Sequence, residues 1–246
     1  MKLALLGTTG FHPNALRHTS CYMLPEQGII LDAGTGMFRL PEYLRTDTLD
    51  IFLSHAHLDH VVGLTYLLGL LHGKNMQRVT VHGAADKLEA VQEHVYSPLI
   101  FPVLPEWEFR PLPDDPFTCG QAQVSWFPLE HPGGTVGYRF DWVDRSLAYV
   151  TDTTARKNAA YVKAIEGVSL LMHECNFPDS LADFAEPTGH SSTSAVAQLA
   201  ADAHVERLLL THLMPQVAEV DPIGLSDAQA IFPSTDLAED EMVLDF

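Results

Sequence analysis

Ser54-His55-Ala56-His57-Leu58-Asp59-His60 sets three imidazoles and a carboxylate within six positions, at the end of a short apolar strand read over residues 49–54. Side chains alternate along an extended strand with period two, so His55 and His57 point to one side and can share a metal. Asp59 and His60 fall where the chain turns into a helix, read from about residue 59 to 71 with Val61, Val62, Leu64, Leu68 and Leu71 as its buried face. Their side chains are therefore aimed at a second point nearby. Asp59 has a competing role as the N-cap of that helix. Coincidental surface histidines are the weaker alternative, because divalent metals of borderline softness favour imidazole and carboxylate at this spacing.

Working outward, residues 2–6 and 20–24, the latter continued by 28–31, read as strands bounded by Gly, Pro and Asn turns. Leu31-Asp32-Ala33-Gly34-Thr35-Gly36 closes a strand in a glycine-rich bend. A strand over 79–82 and a helix over 84–95 follow, then three strands in close succession over 121–127, 135–141 and 147–150. A strand over 168–173, a helix over 191–203, a strand over 205–211 and a short helix over 226–231 restore the alternation. A strand-rich middle flanked by alternating strand and helix needs two sheets if helices are to cover both. The expected fold is α/β, a four-layer αβ/βα sandwich with metals at one edge. There is no internal repeat and no Gly/Ser linker, so residues 1–246 are read as one domain. The proline-rich stretch 102–116 reads as a stiff surface crossover, and the acidic residues after Arg207 as a solvated face.

Composition narrows the function. Fourteen Lys and Arg against 32 Asp and Glu leave a net charge of −18, which repels polyanions and disfavours long nucleic acid as a partner. No apolar run approaches the roughly 18 to 20 residues of a membrane span. The opening MKLALLGTTGFHP resembles a first strand and turn more than a signal peptide. Cys21, Cys119 and Cys175 lack any CxxC spacing and read as reduced thiols of a cytoplasmic protein. Of the thirteen histidines, His12, His18, His72, His82, His94 and His204 stand alone and read as surface or half-buried polar residues. The other seven fall near strand ends or helix starts.

The motif around His55 resembles the HxHxDH signature of the metallo-β-lactamase superfamily, and later pieces follow in that superfamily's order. These are His131 in Leu129-Glu130-His131-Pro132-Gly133-Gly134, Asp152 in Tyr149-Val150-Thr151-Asp152-Thr153-Thr154, and His212 in Leu210-Thr211-His212-Leu213. The resemblance implies that His55, His57 and His131 hold one metal, Asp59, His60 and His212 the other, and that Asp152 bridges them. Two divalent ions are implied, zinc first, with manganese or iron as alternatives. Gly189-His190-Ser191-Ser192, Leu171-Met172-His173-Glu174-Cys175-Asn176-Phe177 and Leu6-Gly7-Thr8-Thr9-Gly10 resemble the ribonuclease Z branch of phosphodiesterases. In that branch the histidine of the GHS motif sits beside the scissile phosphate, making His190 a proton donor or phosphate contact. The competing role for His190 is at the start of the helix from Ser191. His57-Leu58-Asp59-His60 with its apolar continuation also matches, in part, class II cyclic-nucleotide phosphodiesterases.

One departure counts against tRNA maturation. Ribonuclease Z enzymes that process tRNA precursors carry a long arm between the third histidine motif and the bridging aspartate. Here His131 and Asp152 are 21 positions apart, filled by a hairpin over 135–141 and 147–150. The resemblance therefore implies a dinuclear metal-dependent hydrolase of small phosphodiesters or cyclic-nucleotide-like substrates, in which two close cations make a hydroxide nucleophile available near pH 7. Asp59 is expected to accept a proton and His190 to act on the phosphate or the leaving oxygen. A homodimer is the implied assembly. The rival on the same scaffold is a lactone or thioester hydrolase. A di-iron redox protein and a partner-binding module are the other classes, disfavoured by the absent flavin extension and the intact ligand set.

Overall fold

The chain is described here by a computed structural model covering residues 1–103 and 105–246. Residue 104 of the proline-rich stretch lies outside the described residues. The first half runs β1 (Lys2–Gly7), β2 (Cys21–Leu24), β3 (Ile29–Leu31), α1 (Leu40–Tyr43), β4 (Thr48–Phe52), α2 (Leu58–Val61), α3 (Leu67–Leu70), β5 (Arg78–Gly83), α4 (Ala85–Ala90) and β6 (Glu108–Pro111). The second half runs β7 (Phe117–Cys119), β8 (Ala122–Leu129), β9 (Thr135–Asp141), β10 (Ser146–Val150), α5 (Val162–Ile165), β11 (Leu170–Glu174), α6 (Ala182–Thr188), α7 (Thr193–Asp202), β12 (Leu208–Thr211), α8 (Leu225–Ile231), β13 (Thr235–Leu237) and β14 (Val243–Asp245).

Two seven-stranded sheets result, ordered β14-β1-β2-β3-β4-β5-β6 and β13-β12-β11-β10-β9-β8-β7. Each is mixed, antiparallel on one side and parallel on the other: β3-β4-β5-β6 in the first, β10-β11-β12-β13 in the second. The period of two places Leu3 and Leu5 of β1 against Leu147 and Tyr149 of β10 in a core between the sheets. Ala4 and Leu6 face outward beneath the α2–α4 side, and Ala148 and Val150 beneath α7 and α8. Strands covered on both faces read as continuous apolar runs, as residues 208–210 do. This is the four-layer sandwich expected from the sequence. Each buried large side chain between the sheets, Tyr22, Phe52, Tyr138, Phe140 and Tyr149 among them, contributes about 1.5–3 kcal/mol.

Five expectations need correction. The helix read over 59–71 is broken into α2, a 3-10 segment at Val62–Tyr66 and α3, because the Gly63 N–H leaves the helical ladder to donate to Ala33 O at 2.7 Å. Its N-cap is His57, so Asp59 does not cap it. The proline-rich crossover contains β6, which adds parallel to β5 at the sheet edge, where Pro111 needs no inward N–H. The acidic tail is not uniformly solvated: β14 pairs with β1, and the Asp240 side chain, 5% exposed, accepts from Thr8 Oγ1, His18 N and Arg39 Nη1, each at 2.7 Å. His82 is buried, with its ring stacked on Phe52 and Nε2 2.8 Å from Asp50 Oδ1. The three cysteines are buried and unpaired. Among the described residues no helix is long and apolar enough to cross a membrane.

Candidate metal centre

The chain leaves β3, β10 and β12 through Asp32, Asp152 and His212, each with positive φ at 55°, 44° and 50°. Such non-glycine conformations cost about 1–3 kcal/mol each and persist where surrounding structure enforces them. Here they turn three side chains back toward the end of β4, where His55, His57, Asp59 and His60 emerge. Ligand atoms of His55, His57, His131 and Asp152 lie within 4.8 Å of one another, as do those of Asp59, His60 and His212. All seven residues named from the sequence thus converge on two adjoining points.

The spacing fits an ion at each. Asp152 Oδ1 lies 3.3 Å from His60 Nε2 and 3.1 Å from His212 Nε2, while Asp59 Oδ2 lies 3.3 and 3.4 Å from the same nitrogens. On the other side Asp152 Oδ2 is 3.6 Å from His55 Nε2 and 3.5 Å from His131 Nε2. A tetrahedron with metal–ligand bonds of about 2.0–2.1 Å has edges of about 3.3–3.4 Å. The two oxygens of Asp152 therefore face different groups, as a bridging carboxylate does. His55 Nε2 is buried with no hydrogen-bond partner. A buried polar atom of that kind calls for a ligand.

The far sides of the rings are held by the protein. His60 Nδ1 is 2.7 Å from Asp32 Oδ2, His131 Nδ1 is 3.0 Å from Gly189 O, and His55 Nδ1 is 3.0 Å from Ser54 Oγ. Such partners fix the tautomer and direct Nε2 at a metal. From the sequence Asp32 reads only as part of a bend, yet it is fully buried and also accepts from Ser54 N, Ser54 Oγ and Tyr149 Oη at 2.6–2.8 Å. Gly10 likewise reads from the sequence as part of a motif with no role of its own. A Cβ there would stand 2.2 Å from His212 Cε1, so only glycine leaves room for that ring.

Electrostatics agree with cation binding. Burial opposes a charge on His60, but Asp59, Asp152 and Asp32 outweigh it and raise the imidazole well above its ordinary value. Burial would likewise raise the Asp59 carboxyl, yet His60 and His212 hold it well below the usual carboxylate range. A field that retains a proton on His60 also favours a metal ion in its place.

His190 stands at the edge of the centre. A ring nitrogen comes within 4.8 Å of Asp152 and His212 ligand atoms, while Nδ1 lies 3.1 Å from Glu174 Oε1. Glu174 is fully buried and also accepts from Thr153 N, Asn176 N and Ser191 N at 3.0–3.2 Å. Burial lowers the His190 pKa, but Glu174 more than reverses this and lifts it to about 9. The following helix starts at Thr193 with Ser192 as N-cap, so His190 does not cap it. The centre opens into a cleft of about 600 Å³ bordered by Phe11, Leu58, Pro132, Thr188 and His190. Phe11 N donates to Asp59 Oδ2 at 2.7 Å.

The beta-lactamase superfamily domain model matches residues 28–213. A ribonuclease Z of Trichodesmium erythraeum is 28% identical over 309 aligned positions, covering 98% of this chain and 94% of that protein. That span exceeds the 246 residues here, so the relative has segments without a counterpart in this chain. Among solved structures, the metallo-beta-lactamase fold protein YhfI of Bacillus subtilis superposes with a TM-score of 0.81 at 22% identity, covering 99% of each chain. The short form of human tRNase Z gives 0.79 at 22% identity, covering 100% of this chain and 99% of that one. The chain belongs to the beta-lactamase superfamily and has the metallo-β-lactamase fold.

Proposed function

We propose that this chain is a dinuclear metal-dependent phosphodiesterase acting on small phosphodiesters. His55, His57 and His131 would hold one ion, Asp59, His60 and His212 the other, and Asp152 both, with zinc as the first candidate and manganese or iron as alternatives. When bound, the pair supplies Lewis-acid charge and a water acidified toward neutrality.

The observation that carries the reading is His190 with its own buried carboxylate. Glu174 orients the ring and favours its protonated form, the form that can donate to a phosphoryl oxygen or to the departing oxygen. A lactone has no phosphoryl oxygens for such a donor to meet, so this contact favours a phosphodiester. Asp59 would have Oδ1 for contact with a nucleophilic water, since Oδ2 faces His60 and His212 and takes the Phe11 N–H. Relatives named ribonuclease Z and tRNase Z support the phosphodiester class. Small substrates are favoured by the net charge of −18 and by the short turn that joins β9 to β10.

The test is metal analysis of the loaded protein together with hydrolysis of bis(p-nitrophenyl) phosphate against a lactone panel. Two ions per chain and preferential phosphodiester cleavage are expected. One ion or fewer, or lactone hydrolysis without phosphodiester cleavage, overturns the reading.

A further inference from the structure

Beside the main cleft lies a second cavity of about 220 Å³, bordered by His57, Pro132, Lys87, Gly133 and Gly134. His57 and Pro132 also line the main cleft, so the two share a wall. Lys87 comes from α4 and its side chain is only 19% exposed. The chain passes the cavity in a tight turn, with Gly134 N donating to His131 O at 2.9 Å and φ of +86° and +82° at Gly133 and Gly134. Those angles suit glycine, and they leave this wall without side chains. A Cβ at Gly133 would stand 3.8 Å from His57 Nε2, and one at Gly134 would stand 3.8 Å from Lys87 Nζ. One bare turn therefore borders both a proposed metal-ligand nitrogen and an ammonium group.

The charge pattern gives the cavity a preference. The residues lining the main cleft include no Lys or Arg, and the chain has only 14 of these against 32 acidic residues. Lys87 is paired with its neighbour Asp86 at 2.6 Å, but Asp86 is 71% exposed, and such surface pairs are readily exchanged. Lysine acts as a point charge for phosphate, and a phosphomonoester near neutral pH carries about −1.5 to −2 charges.

We infer that Lys87 and the Gly133-Gly134 turn form a second anion subsite, so that the substrate carries a phosphomonoester a short distance from its scissile phosphodiester. This rests on the phosphodiesterase reading and narrows it to phosphorylated diesters.

The experiment compares binding of thymidine 3′,5′-bisphosphate and thymidine 5′-phosphate to the manganese-loaded protein by calorimetry, with bis(p-nitrophenyl) phosphate hydrolysis run in parallel. Wild type binds the bisphosphate about ten-fold more tightly. Lys87→Met erases that preference, Lys87→Arg retains most of it, and Asp86→Asn increases it by freeing the ammonium. Unaltered thermal midpoints establish that the variants fold. Equal binding of the two nucleotides by wild type, or a preference that survives Lys87→Met, overturns the subsite. Bisphosphate preference without hydrolysis removes the phosphodiesterase reading and leaves the subsite standing. Hydrolysis without the preference does the reverse.

Discussion

Asp32 and Glu174 each gather four donors on a fully buried carboxylate, and each positions one histidine of the centre. Asp32→Asn keeps the shape but cannot accept from all four groups, so affinity for the ion on the His60 side should fall about 10- to 100-fold, as outer partners of metal ligands typically cost. Competition with a chromophoric chelator reads this directly. An unchanged affinity would mean that the ring of His60 is fixed by packing alone. His190→Ala should keep both metals yet lose about two to four decades of phosphodiester turnover. The loss should be larger for an alkyl leaving group than for p-nitrophenolate, which departs without protonation. Loss of metal in this variant would make His190 a ligand instead.

The strand ends carry the design. Residues 55–60 follow the end of β4, and Asp152 and His212 follow β10 and β12, so strands of the parallel parts of two sheets deliver these side chains to one edge. The last strand serves those ends indirectly: Asp240, just before β14, ties Thr8, His18 and Arg39 to the chain terminus. Asp240→Ala leaves the Arg39 guanidinium, 12% exposed, without its main partner, at a cost of about 3 kcal/mol. For a chain of this size the thermal midpoint should then drop by about 6–12 °C. A shift under about 2 °C would show that Glu241 or water replaces the contact. This strand was illegible in the sequence because Val243–Asp245 is three residues long and its pattern is set by pairing with β1, a partner 241 positions away in register. The convergent cluster was legible for the opposite reason. His55, His57, Asp59 and His60 are local in sequence, and metal chemistry demands those residue types. Asp32 and Glu174 could not be found that way, since a buried carboxylate reads as one more acidic residue until the donors around it are assembled by the fold. The break at Gly63 was hidden similarly, because its bond to Ala33 is a tertiary contact.

Across the whole molecule the chain carries a net charge of −18, and at its centre imidazoles and carboxylates are packed 3.1–3.6 Å apart. Two pH and metal dependences follow. Burial would raise the Asp50 carboxyl, but Arg78 and His82 hold it far below the usual carboxylate range. A depressed folded pKa contributes stability that is fully present above the unfolded value of about 3.9 and is lost as pH falls toward the folded value. Stability measured with chelator present should therefore decline below about pH 4, and Asp50→Asn should flatten that decline while lowering stability at pH 7. A wild-type slope preserved in the variant would assign the acid sensitivity to other carboxylates. Metal removal acts on the centre itself. Without ions, His55 Nε2 stays buried without a partner and His60 keeps a proton among three carboxylates. Each ion that binds only the folded chain stabilises it by about 2.7 kcal/mol at a hundred times its Kd, equivalent to about 5–10 °C in thermal midpoint per ion at this chain length. Adding chelator should lower the midpoint by about that amount for each ion removed, and restoring zinc or manganese should recover it. In Asp152→Ala, where the carboxylate facing both groups is gone, the response to added metal should shrink for both ions together; a variant that still gains the full shift would mean that Asp152 is not shared between them.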